Sequence, residues 1–311
     1  RIGVPLKVER GQRVFPESDR SMDVVDALVD ECRKVGCRFV RGTVKELLIE
    51  EDCVKGVSTA EGKDYLADAV LVCTGGKSYP ATGSTGDGYA LARQAGHTVT
   101  KLKPSLVPIV TNESYCTDMM GLSLKNVVLT VSDKNNSKIT YSELGEMLFT
   151  HFGVSGPLVL SASSHMKQLG SGRKYRLAID LKPALDEQKL EARILRDLTE
   201  QSNRDFEKIV AGLVPHSMVG VVLDKLGIPG ELKAHSVTRE QRHALVEILK
   251  KFPVSVTGPR PVREAIVTSG GIKVGEVQPA TMESKKVRGL YFAGEVLDVD
   301  AYTGGFNLQI A

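Results

Sequence analysis

Hydrophobic and polar positions change their period several times along the chain, and each change predicts an element. Val24, Val25, Leu28, Val29 and Cys32 recur on one helical face. Gly36 follows where helices commonly end in a left-handed residue, and Ser18, Asp19 and Ser21 are candidate caps at the start. Ahead of this helix, Val4 to Phe15 reads as two short strands around a Gly-containing turn. Behind it, strands are expected at residues 38–41, 43–49 and 54–59, with Tyr65 and Leu66 in another. Turn residues Glu51-Asp52 and Glu61-Gly62 make the last three an antiparallel meander. Residues 69–73 form a continuous apolar run of the parallel-strand type, ending in Thr74-Gly75-Gly76. A Gly/Ser/Thr-rich loop then leads to a helix through Tyr89, Leu91, Ala92 and Ala95, with Asp87 its expected N-cap and Gly96 its end.

The texture changes at Lys103-Pro104. Apolar and polar residues alternate over 122–131 and turn at Asp133-Lys134-Asn135-Asn136, as in a hairpin. Ser155 and Pro157 open a helix carrying Leu158, Val159 and Leu160. A strand at 175–181 precedes a largely helical stretch over 185–226 and a helix over 238–250. Strand texture returns over 264–272, and a polar connector over 279–288 leads to a second buried-type run at 290–293. The expected organisation is an α/β domain in two parts, 1–103 and 259–311, interrupted by an α+β insert over 104–258.

Composition changes this picture little. With 41% hydrophobic and 25% charged residues among 311, the chain resembles ordinary globular proteins. A net charge of +3 is too mild to argue for a nucleic-acid partner. No apolar run approaches the roughly 18 residues of a membrane span. Five cysteines without C-x-x-C spacing read as free thiols in a reducing cytoplasm, and no metal site is expected. The chain starts at Arg1 and stops as a helix begins, so it reads as incomplete at both ends.

The candidate chemistry lies at the ends of the two apolar runs. Gly294 and Glu295 close the second, and Thr303-Gly304-Gly305-Phe306-Asn307-Leu308 follows as a Gly-rich turn into a helix. Paired glycines let backbone N–H groups approach a ligand closely. A helix start directs orphan donors and a positive dipole end at an electron-rich atom. Such a set suits a flavin: Glu295 would accept ribityl hydroxyls, while Asn307 and Leu308 would donate to the pyrimidine edge. Cys73 reads as a buried small hydrophobe, and Asp298, Asp300 and Tyr302 as solvated loop residues. His151, before a Gly-rich helix entrance, is either a proton donor near neutral pH or a structural residue.

Five motifs occur in order: Val72-Cys73-Thr74-Gly75-Gly76-Lys77-Ser78-Tyr79-Pro80 with Gly83-Ser84-Thr85-Gly86-Asp87-Gly88; Phe149-Thr150-His151; Ser155-Gly156-Pro157; Thr281-Met282-Glu283-Ser284-Lys285; and Gly294-Glu295 with Gly304-Gly305-Phe306-Asn307-Leu308-Gln309. Together they resemble the BaiN-like (YhiN-like) flavoproteins, NAD(P)/FAD-dependent oxidoreductases, over the whole chain. The resemblance implies a two-dinucleotide-binding-type FAD domain interrupted by an insert. It also implies an N-terminal βαβ unit with a G-x-G-x-x-G-type fingerprint, which is not in this sequence. Cys73 and Ala301 depart from the small residue and the Gly usual in the family. Thr74, Gly75, Gly76, Gly294, Glu295, Gly305, Asn307 and Leu308 are the implied FAD contacts, with Val44 offering backbone groups to the adenine. NAD(P)H is one implied electron donor. The expected activity is hydride transfer between flavin and a small organic substrate, as reduction of a conjugated C=C. Oxidation of a small amine and a flavin-free interaction module are the alternatives.

Overall fold

The computed structural model describes residues 3–9, 12–135, 137–167, 169 and 172–310. It divides into two compact units, Arg1–Ser105 with Pro261–Ala311, and Leu106–Arg260. The first unit opens with the antiparallel pair β1 (Leu6–Glu9) and β2 (Arg13–Pro16); the turn expected between them, at Arg10 and Gly11, lies outside the described residues. Helix α1 (Ser21–Lys34) follows its apolar stripe, but the expected caps are not used. Arg20 holds the N-cap position without a side-chain bond; Ser18 Oγ instead accepts from Arg20 N and donates to Asp23. No side chain of α1 is buried.

The strand expected at 38–41 does not form, and Phe39 and Val40 are exposed. A strand needs a ladder partner for its N–H and C=O groups, and no described residue pairs with this segment. The meander does form, as β3 (Val44–Glu50), β4 (Cys53–Thr59) and β5 (Asp64–Leu66). Next come β6 (Val70–Val72), α2 (Asp87–Gln94) and β7 (Lys103–Ser105). The N-cap of α2 is Gly86 at φ +92°, not Asp87, which becomes the first helical residue. That left-handed backbone favours glycine over any side-chain cap. Gln94 docks α2 on β3 by bonding both the N–H and the C=O of Leu47 at 2.8 Å.

The second unit contains β8 (Ile109–Thr111), α3 (Tyr115–Asp118), β9 (Ser123–Asp133), β10 (Ile139–Thr150), β11 (Gly153–Ser155), α4 (Pro157–Ser164), β12 (Tyr175–Asp180), α5 (Glu187–Glu200), α6 (Phe206–Ala211), α7 (His216–Leu226), α8 (Arg239–Lys250) and β13 (Phe252–Pro259). Its strands close into an antiparallel barrel in the order β10-β11-β8-β13-β12-β9. Leu129, Val131, Leu177, Ile179 and Val254 fill it and are fully buried. Gly153 serves this closure: a Cβ there would lie 2.4 Å from the Ile109 carbonyl oxygen. Ser155 ends β11 rather than capping α4, whose N-cap is Gly156. Helix α8 has a full capping box between Thr238 and Gln241, the local signal its sequence carries.

The chain returns to the first unit with β14 (Val267–Ser269), antiparallel to β7, then β15 (Leu290–Phe292), parallel to β6, and α9 (Phe306–Ile310). Leu47, Val54, Val72, Tyr89, Ala92, Phe292 and Val296 form its core. Among the described residues, no helix is long and apolar enough to cross a membrane.

A polar clasp holds the connector before β15. Ser284 Oγ accepts the N–H groups of Lys286 and Val287, so its own proton points to His97 Nε2, 2.7 Å away. Glu276 takes the N–H and the hydroxyl of Thr98, both at 2.8 Å, and pairs with Lys286 at 2.9 Å. Lys286, then the Thr98 N–H, pull the Glu276 carboxyl down to about 2. Burial, then the Lys286 charge, push His97 below its ordinary value. Both groups therefore bind protons less readily folded than unfolded. Their stabilisation is present above the unfolded values, about 6.5 for His and 4.3 for Glu, and is lost on acidification. Denaturant midpoints are expected to fall as pH drops below about 6.5, and again below about 4.3 towards 2. In Glu276→Gln the lower decline should flatten; the same decline in that variant would show that Glu276 is not its source.

Candidate functional site

Parallel pairing of β6 with β15, Leu290 opposite Val70 and Phe292 opposite Val72, brings both strands out at one edge. The segments beginning at Cys73 and Ala293 are thus neighbours there, as at a ligand-binding edge of an open α/β sheet. Leu290 and Phe292 of β15 and Val72 of β6 join the core of the unit, while Leu71 of β6 is exposed.

One carboxylate ties this edge together. Glu295 Oε1 accepts the Thr268 N–H at 2.6 Å and the Ser78 hydroxyl at 3.1 Å. Thr268 Oγ1 in turn accepts the N–H groups of Lys77 at 2.7 Å and Ser78 at 3.2 Å. Gly76 lies in the notch between them: a Cβ would sit 2.5 Å from both Glu295 Oε1 and Thr268 Oγ1. Gly75 is left-handed at φ +70°, and Thr74 is exposed. Glu295 Oε1 is thus engaged inside the protein, while no described residue bonds Oε2.

Tyr89 adds a second polar group. Its hydroxyl is buried without a partner among the described residues, and burial, then the charges of Glu295 and Asp298, push it up to about 12. It remains a proton donor at any ordinary pH, with an acceptor still to be supplied. This orphaned hydroxyl fits a bound group that offers an acceptor oxygen, whereas the notch at Gly76 is filled by Glu295 and Thr268 themselves.

The second glycine pair is more occupied than its sequence implies. Gly304 and Gly305 are left-handed, at φ +94° and +88°. A Cβ on Gly304 would lie 2.3 Å from Arg13 Cβ, and its carbonyl accepts the Val14 N–H at 2.9 Å. The Asn307 side chain staples the loop, accepting from Ala301 N at 2.9 Å and donating to the carbonyls of Ala301 and Tyr302 at 3.1 Å. With the Asn307 side chain so engaged, the backbone N–H groups at the start of α9 are the candidate donors that the sequence proposed.

Other candidates are also placed. Val44 begins β3, opposite Thr59, and is partly buried. Cys73 is exposed, not buried as expected, because the chain leaves β6 before it. Asp298 and Asp300 are not merely solvated: they accept the hydroxyls of Thr100 at 2.9 Å and Ser105 at 2.7 Å. His151 belongs to the second unit, exposed in the turn between β10 and β11, with its ring edge-on to Phe152 at 5.0 Å. Gly153 and Gly156 beside it are explained by strand packing rather than by room for a ring system; a Cβ on Gly156 would lie 2.9 Å from Met147 Cα. Sequence reasoning missed Ser78, Thr268 and Tyr89. Ser78 and Thr268 each adjoin a strand-end glycine pair, the signal that could have marked them.

Residues 1–311 match the family model described as HI0933-like protein Rossmann domain. The chain belongs to this family. HI0933-like proteins form a Rossmann-type FAD-binding family, in accord with the mixed α/β architecture. A 3-dehydro-bile acid delta(4,6)-reductase of Clostridium scindens is 29% identical, over 97% of this chain and 73% of that protein. A ribosomal RNA dihydrouridine synthase of Escherichia coli is 31% identical, over 94% of this chain and 70% of that protein. Its namesake from Haemophilus influenzae is 30% identical, over 93% and 69%.

Proposed function

We propose that this protein is an FAD-dependent reductase of a carbon–carbon double bond conjugated to a carbonyl, driven by NAD(P)H. The observation that carries it is the junction of the β6 and β15 ends through Gly76 and Glu295. Bound FAD would supply the hydride from its N5. Glu295 Oε2 accepts ribityl hydroxyls, and residues 74–76 present backbone to the cofactor. Val44 offers backbone groups to the adenine, and the N–H groups of Gly305, Asn307 and Leu308 face the pyrimidine edge. His151 returns a proton to the substrate carbon left electron-rich by hydride addition. Residues 106–260 act as an inserted domain, and the protein works in the cytoplasm on a small organic substrate. The Clostridium scindens reductase supports this chemistry through the unsaturation in its name.

A second substrate is favoured by the two dihydrouridine synthases, since saturating a uridine also reduces a double bond next to a carbonyl. Lys134, Arg173, Lys174 and Arg176 lie where the end of β9 pairs with the start of β12. There Lys134 N bonds the Lys174 carbonyl at 2.9 Å, and buried Asp133 pairs with Arg173. Such a basic end suits a phosphate backbone.

The test is anaerobic mixing of flavin-loaded protein with NAD(P)H or a small amine, then with a steroid-like enone or a uridine-containing ribosomal RNA. Bleaching by NAD(P)H and recovery of colour with the enone supports the first substrate, and recovery with RNA alone the second. Bleaching by the amine and not by NAD(P)H overturns both in favour of an oxidase. A protein that takes up no flavin at all would be an interaction module.

A further inference from the structure

We propose that Cys32 and Cys37 form a reversible redox pair, closing a disulfide across the end of α1 on exposure to a hydroperoxide. The helix ends in a Schellman turn. Gly36, at φ +86°, donates its N–H to the Arg33 carbonyl at 3.0 Å, and Cys37 donates to the Cys32 carbonyl, also at 3.0 Å. The outer bond of this motif joins its first and last residues, whose side chains commonly touch. In most proteins apolar side chains make that contact; here both positions carry thiols.

The same bond limits how far apart the two residues are. Adding the N–Cα length and the Cα to carbonyl-oxygen span to the 3.0 Å bond gives a Cα separation of at most about 7 Å, and less once the angles bend. Disulfides span about 4.4–6.8 Å between Cα atoms. Access is also favourable: Cys37 is exposed and Cys32 partly so. Of the other cysteines, Cys116 is buried, Cys53 is partly buried with Sγ 3.6 Å from the Val54 carbonyl, and Cys73 follows β6.

The chemistry balances with a peroxide as oxidant. The Cys37 thiolate attacks one peroxide oxygen, the O–O bond breaks, and sulfenic acid forms as the leaving hydroxide takes up the proton that the thiol released, giving water. The Cys32 sulfur then attacks the Cys37 sulfur, hydroxide leaves and is protonated to a second water, and the S–S bond closes. Two electrons pass from the sulfurs to the peroxide, and a thiol reductant reverses the step. The bond would fix the left-handed turn at Gly36, which two backbone bonds hold in the reduced state.

Trypsin makes the test direct, because Arg20, Arg33, Lys34 and Arg38 are cleavage sites that separate residues 21–33 from 35–38. After hydrogen peroxide treatment and thiol alkylation, these peptides are expected to be joined, to come apart with dithiothreitol, and to be joined at a rate independent of protein concentration. In Cys32→Ser, Cys37 should instead accumulate as a dimedone-reactive sulfenic acid. Two alkylated, unlinked peptides at a peroxide dose that oxidises Cys73 would overturn the proposal. So would a link from Cys37 to Cys73, or to a second chain.

Discussion

Gly76→Ala is expected to destabilise the protein by about 1–3 kcal/mol and to leave it without flavin. The added Cβ would lie 2.5 Å from Glu295 Oε1, 2.5 Å from Thr268 Oγ1 and 2.8 Å from Thr268 Cβ. Neither neighbour can yield cheaply. Moving Glu295 gives up the Thr268 N–H and the Ser78 hydroxyl; moving Thr268 Oγ1 gives up the N–H groups of Lys77 and Ser78. Each buried donor left unpaired costs about 1–3 kcal/mol. Denaturant unfolding reads the stability, and flavin absorbance per chain reads the cofactor. Glu295→Ala would also remove the proposed ribityl acceptor and should lose flavin, but it relieves only one of the two close approaches at Gly76. The double variant keeps the 2.5 Å approach to Thr268 Oγ1 and leaves the Thr268 N–H without its acceptor, so it is expected to stay both destabilised and colourless. Asp298→Ala, whose carboxylate bonds Thr100, should keep its flavin. Full stability and full colour in Gly76→Ala would show that the junction is looser than these distances.

His151→Ala is expected to slow substrate reduction by roughly 10²-fold, the usual scale for losing a general acid. Hydride addition to a double bond conjugated to a carbonyl leaves an enolate, and its carbon must take a proton. The imidazole is exposed and so open to proton exchange with solvent. Its ring contact with Phe152 is a weak edge-on one, so the substitution should leave the barrel folded. Flavin content and the rate of flavin reduction by NAD(P)H should hardly change, while the reoxidation half-reaction slows; stopped-flow absorbance separates the two. An unchanged reoxidation rate would remove His151 from the mechanism.

The legible parts of the sequence were those whose signal is local. Five apolar residues at helical spacing make α1 a helix even where none of its side chains is buried. Thr238 and Gln241 mark the start of α8 because a capping box is written within four residues. The continuous runs of β6 and β15 announce strands, buried at Leu290 and Phe292 in β15 but only at Val72 in β6, where Leu71 is exposed. The order of motifs was enough to identify the flavoprotein family, now shown over the whole chain.

Caps and partners were settled elsewhere. Asp87, Ser155 and Ser18 are good capping residues by type, but backbone dihedrals gave the N-cap positions to Gly86, Gly156 and Arg20. Residues 38–41 have strand character and no strand, because nothing in their own chemistry supplies a ladder partner. Conversely, β8 and β13, for which the sequence pattern named no strand, pair with their neighbours because closing a barrel satisfies every edge. The candidate site shows the same division. Sequence alone marked Gly76 and Glu295 as unusual residues at the ends of apolar runs. Only the tertiary fold brought Ser78, 217 positions away, onto Glu295 and left the Tyr89 hydroxyl buried without an acceptor among the described residues. A short apolar run fixes that a strand will be buried, through the side chains it carries. It does not fix which strand lies beside it, since that depends on backbone groups all residues share and on how the whole chain packs.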